Sequence, residues 1–360
     1  MKNILFISKW LSVAGTETFM MNVLRYIDRR KFRVDFLIFS DLESDYSKEA
    51  EMLGAKIYRL PARNSGFRYY KSLKEFFRDG RQYDVVHSCE GSLSSIAPIY
   101  YAYKYGIPTR IVHSHSSNCK GIVNRVLHTI NRNFIPLLST CNLACSSLAA
   151  RHFFGKRNCA IVKNGVDTDR YKFNEERRQL FRERYNISPS THVLGHIGRF
   201  DEVKNHSFLL DIFLEYKKRY HDSKLLLVGG GLLEDKIKQK AKDLRLDGSV
   251  LFLGVRNDIP DILCATDCFV MPSLYEGLPF VLVEAQTSGL PCVISNTINK
   301  DSKLTPYLSF CGLKDDVGLW AEEIKNRIGK NNRNEGVKYI EEQGFDILST
   351  VKYLESLYAK

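Results

Sequence analysis

The feature that most constrains this chain is a succession of short apolar segments, separated by helical patterns, that breaks once in mid-chain and then restarts. Asn3 to Ser8, Val34 to Phe39, Ala55 to Leu60, Asp84 to Ser88, Arg110 to His115, Asn142 to Cys145 and Ala160 to Lys163 read as strands. Residues 67–77, 94–105 and 119–134 read as helices between them. Alternation of this kind predicts a parallel, doubly wound α/β sheet. From Asp167 to Ser188 it gives way to a polar, Arg-rich stretch that reads as a linker. It resumes with strands at Val193 to Ile197, Lys224 to Val228, Val250 to Leu253, Cys268 to Met271 and Pro291 to Ser295. The expected division is therefore 1–170 and 171–345, with the helix near the end, within 346–360, packing back on the first unit. Two tandem Rossmann-like units facing a central cleft offer that cleft to a ligand.

Bulk properties narrow the class. A chain of 360 residues, 44% apolar and 26% charged, suits two soluble globular domains. No stretch reaches the roughly 18 unbroken apolar residues of a spanning helix. The apolar run after Met1 is too short for a signal peptide, so a cytosolic protein is expected. The nine cysteines lack paired metal-type spacing or clustered histidines and are expected to be reduced thiols. Residues 1–170 carry 26 Lys+Arg against 14 Asp+Glu, whereas residues 171–360 carry 27 of each. The whole excess of +12 thus lies in the first half, which should meet something anionic. Nucleic acid is disfavoured, because no helix-turn-helix, finger or aromatic-sheet signature accompanies the basic pI.

Four stretches carry chemistry. Ser273-Leu-Tyr-Glu276-Gly277-Leu278-Pro279-Phe280-Val-Leu-Val-Glu284 follows a strand and reads as the opening of a helix that runs to about Ser288. On one helix Glu276 and Glu284 would stand roughly 12 Å apart, too far to share one bond-breaking event and suited to gripping two ends of a long polar ligand. The N–H groups from Gly277 to Phe280 would face an anion. Gly198-Arg199 and Lys204 lie between a strand end and the next helix, where two cations can converge on a diphosphate. Leu225-Leu-Leu-Val-Gly229-Gly230-Gly231 is a strand opening into a glycine loop that suits close approach by a nucleotide. Asn164-Gly165-Val166-Asp167 reads as a turn at the junction. The bland readings, a capped helix, surface cations and a plain turn, stay open for each stretch alone.

Together and in this order, these stretches resemble the GT-B retaining glycosyltransferases of family 4, over essentially the whole chain. The Glu-x7-Glu element in its Ser-Leu-Tyr-Glu-Gly-Leu-Pro setting is the most specific part. The pair His113-Ser-His115 is similar to the subgroup that builds capsule, exopolysaccharide or other bacterial surface glycans. The resemblance implies that a sugar moves from a nucleotide-sugar donor, usually a UDP-sugar, to a lipid-linked or glycan acceptor. It implies Arg199 and Lys204 on the donor diphosphate, Glu276 with the Gly277–Phe280 backbone at the transferred sugar, and Glu284 on the ribose. Gly231 and Val255, in the segment Val255-Arg256-Asn257, would lie near the base. Gly15 would let the first loop approach the donor, and His115 would sit by the sugar at the acceptor side. Glu17 matches the family's first-loop Glu, but Ala14 stands where a second glycine is usual. His113, two residues before His115 on a strand, reads as structural. No nucleophile and no metal cluster stands out, so neither cofactor nor metal is expected.

The first unit would take the acceptor, a lipid-diphosphate-linked glycan. Its basic excess includes Arg63, Arg68, Lys71, Lys74, Arg78 and Arg81 among Phe67, Tyr69, Tyr70, Phe76 and Phe77. A second basic set, Lys120, Arg125 and Arg132, shares a helix with Ile122, Val126, Leu127 and Ile130. Such helices lie on anionic lipid, so a peripheral position on the inner face of the membrane is expected. The rivals are a GT-B shell that binds nucleotide-sugar at the membrane without turnover, and a nucleotide-sugar epimerase on the same fold.

Overall fold

The structure, a computed structural model, describes residues 1–12, 15–40, 44–79, 83–116, 118–119 and 121–360. Ala14, Arg81 and Lys120, which figure in the sequence reading, lie outside the described residues. The chain divides into a first unit, 1–165 with 346–360, and a second, 166–345.

The first unit holds one seven-stranded sheet: β1 (Lys2–Ser8), β2 (Phe32–Ile38), β3 (Ile57–Arg59), β4 (Val85–Glu90), β5 (Thr109–Ser114), β6 (Cys141–Ala144) and β7 (Ala160–Ile161). The strands are all parallel, in the order β3-β2-β1-β4-β5-β6-β7. Chain order therefore reverses between β1 and β4, and loops leaving their carboxyl ends diverge to opposite faces. Ile4 to Ile7 on β1 are wholly buried, as a strand with both faces covered requires. The terminal helix Ile347–Tyr358 returns to this unit, burying Ile347, Val351, Leu354 and Tyr358.

The second unit holds six parallel strands: β8 (His192–Ile197), β9 (Ser223–Val228), β10 (Val250–Gly254), β11 (Cys268–Met271), β12 (Cys292–Ser295) and β13 (Leu308–Cys311). Their order, β10-β9-β8-β11-β12-β13, repeats the pattern and puts the reversal between β8 and β11. Leu225, Leu226, Leu227 and Phe269 to Met271 form the buried centre.

Three expectations change. The stretch read as a linker is helical at Thr168–Tyr171 and Glu175–Arg184, and it is built into the second unit. Two of its five arginines point inward: Arg182 donates to Ala265 O and Thr191 O, and Arg178 to Cys264 O, while they pair with Asp267 at 2.7 and 2.6 Å respectively. Arg333 adds bonds to Leu263 O and Thr266 O. The carbonyls that end helix Ile259–Ala265 are thus satisfied by guanidinium groups. Charge read as solvation is helix capping. The helix expected from residue 119 begins only at Ile122 and closes at Asn131. The helix expected from about Ser273 begins at Phe280, with Pro279 as its extended N-cap.

The turn at Asn164-Gly165 is a close approach as well. A Cβ on Gly165 would stand 2.7 Å from Ile347 Cα and 2.9 Å from Asp346 O. Gly165→Ala is expected to destabilise the protein by about 1–3 kcal/mol, measured by urea unfolding; an unchanged midpoint would contradict this packing.

Candidate active site

The reversal between β8 and β11 brings together two loops far apart in sequence. The first, after β8, carries Gly198, Arg199 and Lys204; the second, after β11, carries Ser273 to Glu276. Three bonds tie them: Leu274 N–H to Val203 O at 2.8 Å, Asn205 Nδ2 to Pro272 O at 3.2 Å, and Lys204 Nζ to Glu276 Oε1 at 2.6 Å. The Lys204 and Glu276 side chains are 15% and 18% exposed. Two residues make this geometry possible. Gly198 has no side chain, so the Lys204 stem lies where a Cβ would come 3.1 Å from its Cδ and Cε. Asn205 takes a left-handed conformation (φ 54°), which asparagine tolerates better than most residues, and turns the chain into helix His206–Arg219. Arg199 is exposed and makes no side-chain hydrogen bond or ion pair among the described residues.

Because its helix starts at Phe280, Glu276 lies in the loop before it, and the helical spacing argued from sequence does not apply. Gly277 faces open space, while Leu278 and Phe280 pack against Val166, Val283, Leu304, Ile340 and Phe345. Pro279 is half-buried. Glu284 is on the helix and half-buried. Burial raises its carboxyl to about 7, opposed by a hydrogen bond with Tyr171 and the charge of Arg170. Arg170 Nη2 also donates to Asn257 O at 3.3 Å, which brings the segment holding exposed Val255 to the same neighbourhood.

The glycine loop has a reason that the sequence reading did not weigh. Gly229 (φ 136°) and Gly231 (φ 156°) stand against the loop after β8: a Cβ on Gly229 would overlap Gly198 O, and one on Gly231 would stand 2.6 Å from Phe200 O. Phe200 N–H donates to Gly230 O and Gly198 N–H to Val228 O. These glycines let two strand-end loops splice backbone to backbone.

Sequence reasoning missed the imidazoles beneath the first loop. His196 and His206 are buried with rings 4.8 Å apart, and His206 stacks on Phe200 at 4.2 Å. Both His206 nitrogens and His196 Nε2 have no partner, and burial lowers His206 to about 4, so it stays neutral at pH 7. The signal was present, since His206 ends the Gly198-to-His motif. Arg170 and Tyr171 were missed because the helix carrying them was read as linker.

In the first unit, Gly15 is exposed and opens helix Gly15–Tyr26. Glu17 is buried and accepts from Ser8 Oγ at 3.1 Å, with its carboxyl raised by burial. The His115 ring packs at a tilt against His113, at 4.1 Å, and against Phe19, at 4.9 Å. Neither of its ring nitrogens has a partner, and burial lowers it to about 3. It is a neutral imidazole that can accept or donate one bond to a ligand. His113 is fully buried, with Nδ1 3.1 Å from His87 Nε2, and His87 Nδ1 lies 2.7 Å from Tyr358 Oη. The register that sets Cys89 opposite His113 brings His87, Cys89 and His113 within 4.8 Å, a grouping invisible in sequence. Both His87 nitrogens are engaged in hydrogen bonds, and burial raises the Cys89 thiol well above its usual range.

Comparison with known proteins decides the family. A profile for glycosyl transferases group 1 matches residues 177–304, and one for glycosyltransferase family 4 matches residues 13–170. EpsF of Bacillus subtilis (strain 168), a protein named as a glycosyltransferase, is 30% identical over 371 residues, covering 99% of this chain and 96% of its own. The chain is a GT-B glycosyltransferase of this family. A second relative of the enzyme is the Escherichia coli UDP-Gal:alpha-D-GlcNAc-diphosphoundecaprenol alpha-1,3-galactosyltransferase, 27% identical over 313 residues, 80% of this chain and 77% of that one. HepE of Anabaena, solved with UDP and glucose, shares the fold of the glycosyltransferase with a TM-score of 0.80 at 18% identity, each chain fully covered.

The 2.6 Å pair makes a direct prediction. A double-mutant cycle on Lys204→Met and Glu276→Gln, read by urea unfolding, is expected to give a coupling of about 1–3 kcal/mol; additive effects would mean the pair contributes nothing.

Proposed function

We propose that this enzyme is a retaining glycosyltransferase that moves a hexose from a UDP-sugar to a lipid-diphosphate-linked glycan during synthesis of a bacterial surface polysaccharide. The observation that carries the donor assignment is the junction at the sheet reversal of the second unit. There Arg199, exposed and without a side-chain partner among the described residues, belongs to the same loop as Lys204, which pairs with Glu276. A diphosphate leaving group needs cationic charge that grows in value as its bond to the anomeric carbon breaks. Arg199 and Lys204 supply that charge. Glu276 commits Oε1 to Lys204 and keeps Oε2 for hydroxyls of the transferred sugar. Glu284 receives the ribose hydroxyls, with Tyr171 and Arg170 favouring its ionised form. Gly231 and Val255 lie towards the base, and Gly15 and His115 serve from the first unit. The acceptor oxygen attacks the face the diphosphate leaves, and its proton passes to the departing diphosphate. The relatives named above support UDP as the nucleotide and a polyprenyl diphosphate as the acceptor anchor.

The membrane assignment rests on the helix Ile122–Asn131. Ile122, Val123, Val126 and Ile130 are 79, 70, 54 and 51% exposed, and Phe134 and Leu137 continue the ridge. Polar anchors hold this helix instead of an apolar face. His128 accepts from Leu93 N–H and meets His152 O, and Asn131 donates to Leu93 O. Between Glu90 and Asp167 the sequence has nine Lys and Arg and no Asp or Glu. An exposed apolar ridge in an acid-free basic segment suits an anionic bilayer. No described helix is long and apolar enough to cross one.

A thermal-shift panel of UDP-, GDP- and ADP-sugars, followed by turnover of the best donor on a polyprenyl-diphosphate glycan, tests the reaction. Lys204→Ala and Glu276→Ala are each expected to cut turnover at least ~100-fold with circular dichroism unchanged; near-normal activity would overturn these roles. In flotation with vesicles containing anionic lipid, the wild type should rise with the lipid and Val126→Asp should stay behind. Equal behaviour of the two would remove the membrane assignment.

A further inference from the structure

The first sheet also reverses strand order, between β1 and β4, and the carboxyl ends of β1 to β5 surround a cavity of about 840 Å³. This size falls within the range of small-molecule sites, about 300–1,000 Å³. Building on the acceptor assignment above, we infer that this cavity seats a pyranose ring of the acceptor, with Glu90 receiving its hydroxyls and Trp10 meeting its carbon face.

The chemistry of the lining selects this ligand class. Glu90 is the last residue of β4, and its Oε1 accepts from Ser88 Oγ at 2.7 Å. Oε2 makes no hydrogen bond among the described residues, and Glu90 is one of the residues that line the cavity. Glu17, at the start of the helix after β1, lines it as well and is held by Ser8. Two carboxyls on one cavity repel a phosphate and attract hydroxyl donors. Burial raises Glu90 to about 7 and raises Glu17 too, which lessens the charge each carries and suits a neutral polyol. Small hydroxyls at Ser92, Ser94 and Ser95 add adaptable partners, and Ser95 lies 3.2 Å from Tyr69 Oη. Such a lining desolvates an apolar ligand without matching it and is dense in partners for a sugar.

The aromatic side of the argument comes from Trp10. It lines the cavity at 43% exposure, with Lys9 Nζ 4.2 Å from its ring centroid. An amphipathic ring at the edge of a polar cavity suits the carbon face of a pyranose. Lys9 and Arg63 are the cations of the lining, and Lys9 is already engaged with the Trp10 ring.

The chain has two tryptophans, and Trp320 is fully buried in the second unit, so solvent-sensitive emission reports on Trp10. The test titrates full-length protein with methyl glycosides of glucose, galactose, N-acetylglucosamine and N-acetylgalactosamine, following that emission. At least one glycoside should give a saturable change that disappears in Trp10→Phe. Glu90→Ala should weaken it at least tenfold, and Glu90→Gln, which keeps an acceptor, should weaken it less. With the best glycoside as acceptor, Glu90→Ala should raise its KM at least tenfold and leave the KM of the nucleotide-sugar within twofold. Unchanged UDP affinity of the variants establishes that they are folded. A wild type that binds a nucleotide-sugar but gives no glycoside response overturns this inference alone, as does equal affinity in Glu90→Ala. A Glu90-dependent response to the nucleotide-sugar itself would also overturn it, by making the cavity the donor's. Failure to bind any nucleotide-sugar, with glycoside binding intact, would instead sink the donor assignment.

Discussion

A single ion pair, Lys204 Nζ to Glu276 Oε1 at 2.6 Å, ties together the two loops of the second unit to which we assign the donor. Its partners come from loops on either side of the β8/β11 reversal, where a parallel sheet leaves a natural crevice. With both side chains mostly shielded from solvent, a lone charge there would be costly, and pairing removes that cost. The pair also links two functions. A cation suited to a diphosphate and a carboxylate suited to sugar hydroxyls are held in one arrangement by each other, and exposed Arg199 adds charge outside the pair. The buried, neutral His196 and His206 underlie the same loop without adding charge to it.

The scaffold around this junction is assembled largely from polar groups doing structural work. Arg178, Arg182 and Arg333 reach the carbonyls at the end of one short helix and share Asp267 or lie near it. A guanidinium presents several donors in a fixed fork, so one side chain can satisfy carbonyls that would otherwise lack partners. The glycine loop after β9 follows the same logic from the other side. Removing side chains at Gly229 and Gly231 lets the backbone of one strand end bond to that of another, which fixes the loop carrying Arg199.

The first unit uses burial differently. Its titratable groups near the carboxyl ends of β1, β4 and β5 are pushed toward their neutral forms: Glu17 and Glu90 upward, His113 and His115 downward. The cavity there combines these partly discharged carboxyls with serine hydroxyls and the cations Lys9 and Arg63, in contrast with the tight ion pair of the second unit. Between Glu90 and Asp167, the stretch that holds the exposed apolar ridge of helix Ile122–Asn131, the sequence has basic residues and no acid. The cavity and the exposed ridge are thus distinct features of one unit.

The sequence by itself determined the repeated strand-and-helix architecture and the family to which its motifs point. Both are written in local patterns: apolar runs long enough for strands, glycines at strand ends, and Gly-Arg, Lys and Glu-x7-Glu at fixed intervals. Only the tertiary structure decided which groups meet. Lys204 and Glu276 are 72 residues apart. Arg178 and Arg182 read as part of a linker because their partners, the carbonyls of residues 264–266, carry no signal in sequence. Helix 122–131 looked amphipathic in either role, and its exposure depends on what else covers it. Cys89 and Glu90 lay beyond the strand read from sequence, which ended at Ser88, and only the register with β5 places them on it. Burial and partnership are properties of pairs in space, and a one-dimensional pattern contains only one member of each pair at a time.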